Sequence, residues 1–338
     1  MTAAADLGLG PGGEFDRIRT FVAAQGEGGR PAGGAVLVGP GDDCAVVRVA
    51  DLAVSTDMVV EEVHFRRAWL TPEEIGWRAV AAALSDLAAV AALPTAVLLS
   101  MAVRAEDTGS FAEGVMQGAA GAAAAAGAVV VGGDLTRSPG PLVLDVVVLG
   151  QVSGPVLRGG ALAGDTLWVT GRLGAAGAAL AAWLGGAEPS PDARRAFARP
   201  VPRTAEARWL SEHGVPHAMI DLSDGLGGDA GHLAAASGVR IILEGAAIPV
   251  HPAALAAAAD ADAALRTAVT SGDDYELCFA AAEDEVQVVR PAFEERFGLP
   301  LTRVGTVGEG SGAALLLPDG ARVEPPWPAF SHFGGERP

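Results

Sequence analysis

The chain has 338 residues, long enough for two domains of ordinary size, and half of it is hydrophobic. Forty-one acidic residues against 23 basic ones leave a net charge of −18, which repels nucleic acid and anionic membrane surfaces. Every basic residue is arginine, so a Walker-A lysine, a Schiff-base lysine and a kinase-type strand lysine are all excluded. Phosphate chemistry here must neutralise charge with arginine, backbone amides or metal ions.

In chain order, residues 1–13 and Gly26 to Gly34 read as disordered. The stretch from Met1 to Gly13 has no basic region followed by an apolar core, so no signal peptide is expected. Strands are predicted at Cys44–Val49 and, after a two-residue turn, at Leu52–Thr56. Thr71-Pro72-Glu73-Glu74 starts a helix, with a capping threonine, a first-turn proline and acids at the positive end of the dipole. That helix runs to about Ala92, and Pro94 ends it. Val97–Val103 is strand-like, Ser110–Ala126 helical, and Ala128–Val131 and Leu142–Val152 strands. A composition change at Gly154–Gly164 divides the chain into domains 14–155 and 156–338.

In the second half, strands are predicted at Thr166–Thr170, Ala218–Ile220, Val239–Leu243, Tyr275–Ala280 and Thr302–Val307. Helices are predicted at Ala175–Leu184, Arg203–His213, Gly225–Ala236 and Glu283–Phe297. Both halves are therefore mixed α/β, an α+β class. Cys44 and Cys278 are far apart and lack C-x-x-C spacing, so neither a disulfide framework nor a metal knuckle follows. No segment is both long and apolar enough to span a bilayer, and a cytoplasmic protein is expected.

The acidic residues cluster beside glycine and serine. Gly41-Asp42-Asp43, Ser55-Thr56-Asp57, Ser85-Asp86, Gly132-Gly133-Asp134, Asp221-Leu222-Ser223-Asp224-Gly225 and Gly272-Asp273-Asp274 are each expected in a short loop at a strand end or a helix edge. Strand ends are where α/β folds bind ligands. Mg²⁺ takes one or two carboxylates and completes its shell with water and phosphate oxygens, so several such aspartates can hold ions along a triphosphate. Glycine beside them lets backbone amides approach phosphate. Asp beside Gly or Ser is also ordinary turn and cap chemistry, and spacing alone leaves both readings open. Ser85-Asp86 tilts toward function, because it interrupts an apolar helix where a carboxylate is costly unless paired or metal-bound.

The ordered series Gly12-Gly13-Glu14-Phe15, Gly41-Asp42-Asp43-Cys44-Ala45, Ser55-Thr56-Asp57 with His64-Phe65, Leu84-Ser85-Asp86-Leu87-Ala88-Ala89, Gly132-Gly133-Asp134-Leu135-Thr136-Arg137, Ile220-Asp221-Leu222-Ser223-Asp224-Gly225-Leu226 and Asp273-Asp274-Tyr275-Glu276-Leu277, closed by Trp327 to Phe333, resembles the thiamine-monophosphate kinases of the aminoimidazole-ribonucleotide-synthetase-like ATP-binding superfamily. The resemblance covers residues 12–333. It implies an N-terminal ATP- and Mg²⁺-binding domain whose sheet pairs across a homodimer, and a C-terminal α/β sandwich.

The same resemblance implies several Mg²⁺ ions on Asp43, Ser55, Thr56, Asp57, Asp86, Asp134, Asp221 and Asp224. It implies ATP contacts at Gly133, Asp134, Arg158 and Ser223, and thiamine monophosphate contacts at His64, Asp273 and Phe330. The implied reaction is in-line γ-phosphoryl transfer to thiamine monophosphate, with no covalent nucleophile and no obligatory base. The chain departs from the family at Ala83, where asparagine is common, at Ala89-Val90-Ala91-Ala92, which lacks Met and Gly, and at Asp273, where glutamate is common. Other functions compatible with the sequence are a sister synthetase of the superfamily, a metal-dependent phosphohydrolase and a nucleotide-binding protein without catalysis. A selenium- or thiocarboxamide-handling synthetase needs a mobile cysteine, and Cys44 sits in a strand-like run.

Overall fold

The computed structural model describes Thr20 and residues 36–38, 46–47 and 51–324. Residues 1–13 and 26–34, Asp43, Cys44, Trp327 and Phe330 lie outside the described residues. The chain forms two compact units that divide between Ser153 and Gly154, except that Ala88–Ala91 groups with the second.

β1 (Val36–Val38) and β2 (Val46–Val47) form an antiparallel ribbon. The first unit is built on a four-stranded sheet of β3 (Leu52–Val60), β4 (Leu93–Val103), β5 (Val129–Arg137) and β6 (Val143–Gln151), in the order β3-β6-β4-β5. Only β4 and β5 run parallel, joined through helix α2 (Ser110–Ala125). β6 alternates without a break, turning Leu144, Val146 and Val148 to a fully buried face. Helix α1 (Pro72–Ala89) covers that face.

α1 and α2 touch backbone to backbone. A Cβ on Gly118 would stand 1.8 Å from the Glu73 carbonyl oxygen, and one on Gly76 1.8 Å from that of Val115. On the opposite face Ala96 of β4 is buried while the β3 edge is exposed. Leu52, Val54 and Met58 of β3 are 38%, 57% and 55% exposed there.

The second unit has a seven-stranded mixed sheet. Its strands are β7 (Thr166–Thr170), β8 (Ala218–Asp221), β9 (Arg240–Glu244), β10 (Leu277–Ala281), β11 (Leu301–Gly308), β12 (Gly312–Leu316) and β13 (Arg322–Val323), in the order β13-β12-β9-β11-β7-β10-β8. Both faces of the sheet are covered at β7, β10 and the edge strand β8, which is why all three are buried at every position. Leu167, Val169, Ile220, Cys278 and Ala280 join one core with α6 (Leu226–Ser237) and α8 (Ala261–Thr270). Trp168, Met219, Leu277 and Phe279 join the other with α5 (Thr204–Glu212) and α9 (Glu283–Phe297). α3 (Ala175–Leu184), α4 (Pro191–Ala198) and α7 (Pro252–Ala257) complete the unit. Two mixed α/β domains, the second a sandwich, are thus what the chain builds. No helix among the described residues is long and apolar enough to cross a membrane.

Candidate active site

The aspartates of the first unit differ in setting from the sequence expectation. Ser55 and Thr56 were expected at the end of a strand, and Asp57 and Asp134 in loops at strand ends; all four lie inside β3 and β5. The β-branched Val59 and Val60 carry β3 past Thr56, and it pairs with β6 over all nine of its residues. The β4–β5 register shifts at Val131, and β5 continues in register through Gly132-Gly133 to Arg137.

Because a strand turns successive side chains to opposite faces, Ser55 and Asp57 face the helix-covered side and Thr56 the opposite side. Ser55 Oγ donates to Asp86 Oδ2 of α1 at 2.5 Å. From Ala79 to Ala89, Asp86 is the one residue that is not fully buried. On the opposite face Thr56 Oγ1 donates to Asp145 Oδ1 at 2.8 Å. Asp145 of β6 stands opposite Ser100 of β4, and Ser100 opposite Asp134 of β5, so three polar strands line up beside Thr56. Asp145 was missed in the sequence; its only signal was an acid inside the apolar run Leu142–Val152. In the turn after β3, His64 Nδ1 accepts the Val60 amide at 3.0 Å, which fixes the ring.

In the second unit the two acidic segments are stitched together. The Leu222 amide donates to the Glu276 carbonyl at 2.8 Å, the Tyr275 amide to the Leu222 carbonyl at 2.8 Å, and the Asp273 amide to the Ser223 carbonyl at 2.9 Å. The approach is so close that a Cβ on Gly272 would stand 2.3 Å from the Ser223 carbonyl oxygen. Asp273 and Tyr275 adopt positive φ values of 61° and 51°, strain that side-chain-bearing residues bear mainly where function or packing demands it. The Tyr275 hydroxyl donates to Asp273 Oδ1 at 3.0 Å. Asp221 ends β8 and is buried. Arg158 is exposed, with its carbonyl oxygen held by the Ser237 hydroxyl at 3.0 Å.

Asp229, in the first turn of α6, was also missed. Its carboxylate accepts the Asp224 amide at 3.2 Å, pinning the Asp221–Gly225 loop from behind. Burial, and then the nearby Asp221 and Asp224 charges, push Asp229 up to about 8. Among the described residues no three His, Cys, Asp or Glu side chains gather closely enough to hold a metal ion unaided. The donors nevertheless suit Mg²⁺. They are all oxygens, offered one or two at a time with hydroxyls beside them, as an ion that keeps water and phosphate in its shell requires. The repulsion Asp229 feels from Asp221 and Asp224 is an excess of negative charge that a divalent cation would relieve.

The fold and its carboxylate-bearing strands and loops define an AIR-synthase-related protein. The N-terminal domain of that family matches residues 41–152 and its C-terminal domain residues 163–317. Among curated proteins the chain is similar to the thiamine-monophosphate kinase of Mycobacterium tuberculosis H37Rv, 41% identical over 253 residues, 74% of each chain. Among solved structures it is similar to thiamine-monophosphate kinase from Stenotrophomonas maltophilia K279a, with a TM-score of 0.80 and 34% identity over 91% of this chain and 97% of that one. It is also similar to AaThiL complexed with AMPPCP and TMP, with a TM-score of 0.73 and 28% identity over 95% of this chain and 97% of that one. The chain belongs to the thiamine-monophosphate kinase family.

Proposed function

We propose that the protein transfers the γ-phosphoryl group of ATP to thiamine monophosphate, giving thiamine diphosphate and ADP, the last step of thiamine diphosphate biosynthesis. The observation that carries this reading is family membership, joined to a relative that holds AMPPCP and TMP together. The acceptor is itself a phosphate and is ionised at neutral pH. No general base is needed, and the task is charge neutralisation and alignment.

The proposed metal ligands are Asp43, Ser55, Thr56, Asp57, Asp86, Asp134, Asp221 and Asp224. Gly133, Asp134, Arg158 and Ser223 contact the nucleotide, and His64, Asp273 and Phe330 the acceptor. When bound, several Mg²⁺ ions supply the positive charge that stabilises the transferring phosphoryl group. The chain's own residues hold everything else in place. The Ser55 hydroxyl fixes one oxygen of Asp86, and the Ser223–Asp273 backbone bond keeps a nucleotide contact and an acceptor contact at constant spacing. The short Asp273 carboxylate, steadied by Tyr275, offers an anion to the acceptor's thiazolium ring. The open apolar face of β3 supports the homodimer reading: Leu52, Val54 and Met58 are the surface a second copy would cover. The enzyme is assigned to the cytoplasm.

An ADP-release assay with Mg²⁺ tests the reading, offering thiamine monophosphate, thiamine and an aminoimidazole ribonucleotide precursor in parallel. ADP release with thiamine monophosphate alone is expected. Release without any acceptor would mean a phosphohydrolase, and ATP retention without turnover a binding protein.

A further inference from the structure

The second unit contains a cleft of about 340 Å³ whose wall carries Arg172, Arg195, Arg199, Arg203 and His251. Four arginines gather at one cleft in a chain of net charge −18, beside four acids, Asp192, Asp273, Asp274 and Glu276. Two of these acids are already engaged by other groups. Glu276 is spent on Arg203, which donates to its two oxygens at 2.6 and 2.8 Å, and on the Thr170 hydroxyl at 2.6 Å. Asp274 is turned to the Gly174 amide, which donates to its two oxygens at 2.8 and 3.0 Å. Asp192 and Asp273 complete the acids of the wall, and the Tyr275 hydroxyl already donates to Asp273.

The side chains of two of those arginines, Arg172 and Arg195, make no hydrogen bond or ion pair among the described residues, and both residues are exposed. The His251 Nδ1 accepts the Ala253 amide at 3.1 Å, so the neutral ring carries its proton on Nε2 and adds a donor. Arginine forks of this kind match the oxygens of a phosphoryl group in a bidentate way.

We propose that this cleft is a second binding site, for a phosphoryl group, either free phosphate or a phosphate monoester, with Arg172 and Arg195 as its grasping residues. None of these arginines, nor His251, belongs to the metal, nucleotide or acceptor sets. Asp273 alone is shared, and through it a bound anion would lie against the acceptor contact. The cleft's volume leaves space for more than a lone phosphate ion.

Isothermal titration of the full chain, in chelator so that no divalent cation carries phosphate to the carboxylates, tests the proposal. Inorganic phosphate and ribose 5-phosphate are the probes, on the wild type and on R172A, R195A and R208A. Arg208 pairs with Glu212 away from the cleft and is the control. Saturable binding of at least one probe is expected, weakened roughly 10-fold or more in R172A and R195A and unchanged in R208A. Tighter ribose 5-phosphate identifies a monoester site, and equal affinity a phosphate site. Both arginines are exposed, so the variants should fold; melting temperatures check this, and either variant alone suffices for the test. Absence of saturable binding by both probes, or equal binding in wild type, R172A and R195A, overturns the proposal.

Discussion

Asp86 keeps a charged group on a helical run that is otherwise fully buried, and it meets the Ser55 hydroxyl of the neighbouring strand at 2.5 Å. A carboxylate in such a place must be hydrogen-bonded or metal-bound to be tolerated. Asp86→Asn keeps an acceptor for Ser55 and removes only the charge. Turnover should fall by roughly 10²-fold or more while the melting temperature stays within a few degrees; a large drop in melting temperature would make Asp86 a structural residue instead.

Asp274 gives a pH signature. Its folded-state carboxyl is raised well above 3.8, by burial first, against the Gly174 hydrogen bond and with the Glu276 and Asp273 charges adding to it. The folded protein therefore holds a proton that the unfolded chain has lost. The stability this contributes is complete below about pH 4 and declines as pH rises through the raised value. Asp274→Asn, still able to accept from Gly174, should flatten that decline in thermal melts between pH 4 and 8; an unchanged slope would show that Asp274 titrates normally. Asp86 was legible in the sequence because an acid among alanines and leucines has no solvated stripe to occupy. Asp145 and Asp229 were not: one is a lone acid in a strand, the other a first-turn helix acid, and only the Thr56 and Asp224 contacts reveal them.

At the scale of elements, the helices and strands with strong periodicity stand close to where the sequence puts them. α1 begins at Pro72 as its cap and first-turn acids require, and β7 spans Thr166–Thr170. The differences have local causes. Long pairing with β6 extends β3 to Val60, and the positive φ of Asp273 and Tyr275 delays β10 until Leu277. The short α4, α7 and α8, six to ten residues each, were missed although Ser190, His251 and Asp260 cap them and α4 and α8 are amphipathic. The α1–α2 contact rests on the missing side chains of Gly76 and Gly118. Gly118→Ala should cost about 1–3 kcal/mol in denaturant unfolding, since its Cβ meets the Glu73 backbone and no flexible side chain can yield. A loss below a few tenths of a kcal/mol would mean the helices separate freely.

For the whole molecule, the mixed α/β class was legible from alternating strand and helix patterns. The exposed face of β3 was not, because exposure is a property of the partner layer and not of the strand's own sequence. If a second copy covers that face, Val54→Arg together with Met58→Arg should shift the protein toward monomer in sedimentation equilibrium, whereas an unchanged mass would place the self-association surface elsewhere. The central claim is direct transfer between two phosphates, aligned by carboxylates in a protein without lysine. Following [γ-³²P]ATP with Mg²⁺ and thiamine monophosphate tests it most directly. The label should appear in thiamine diphosphate, in equal amount to the ADP formed; label released as inorganic phosphate, at the same rate with or without the acceptor, would contradict it.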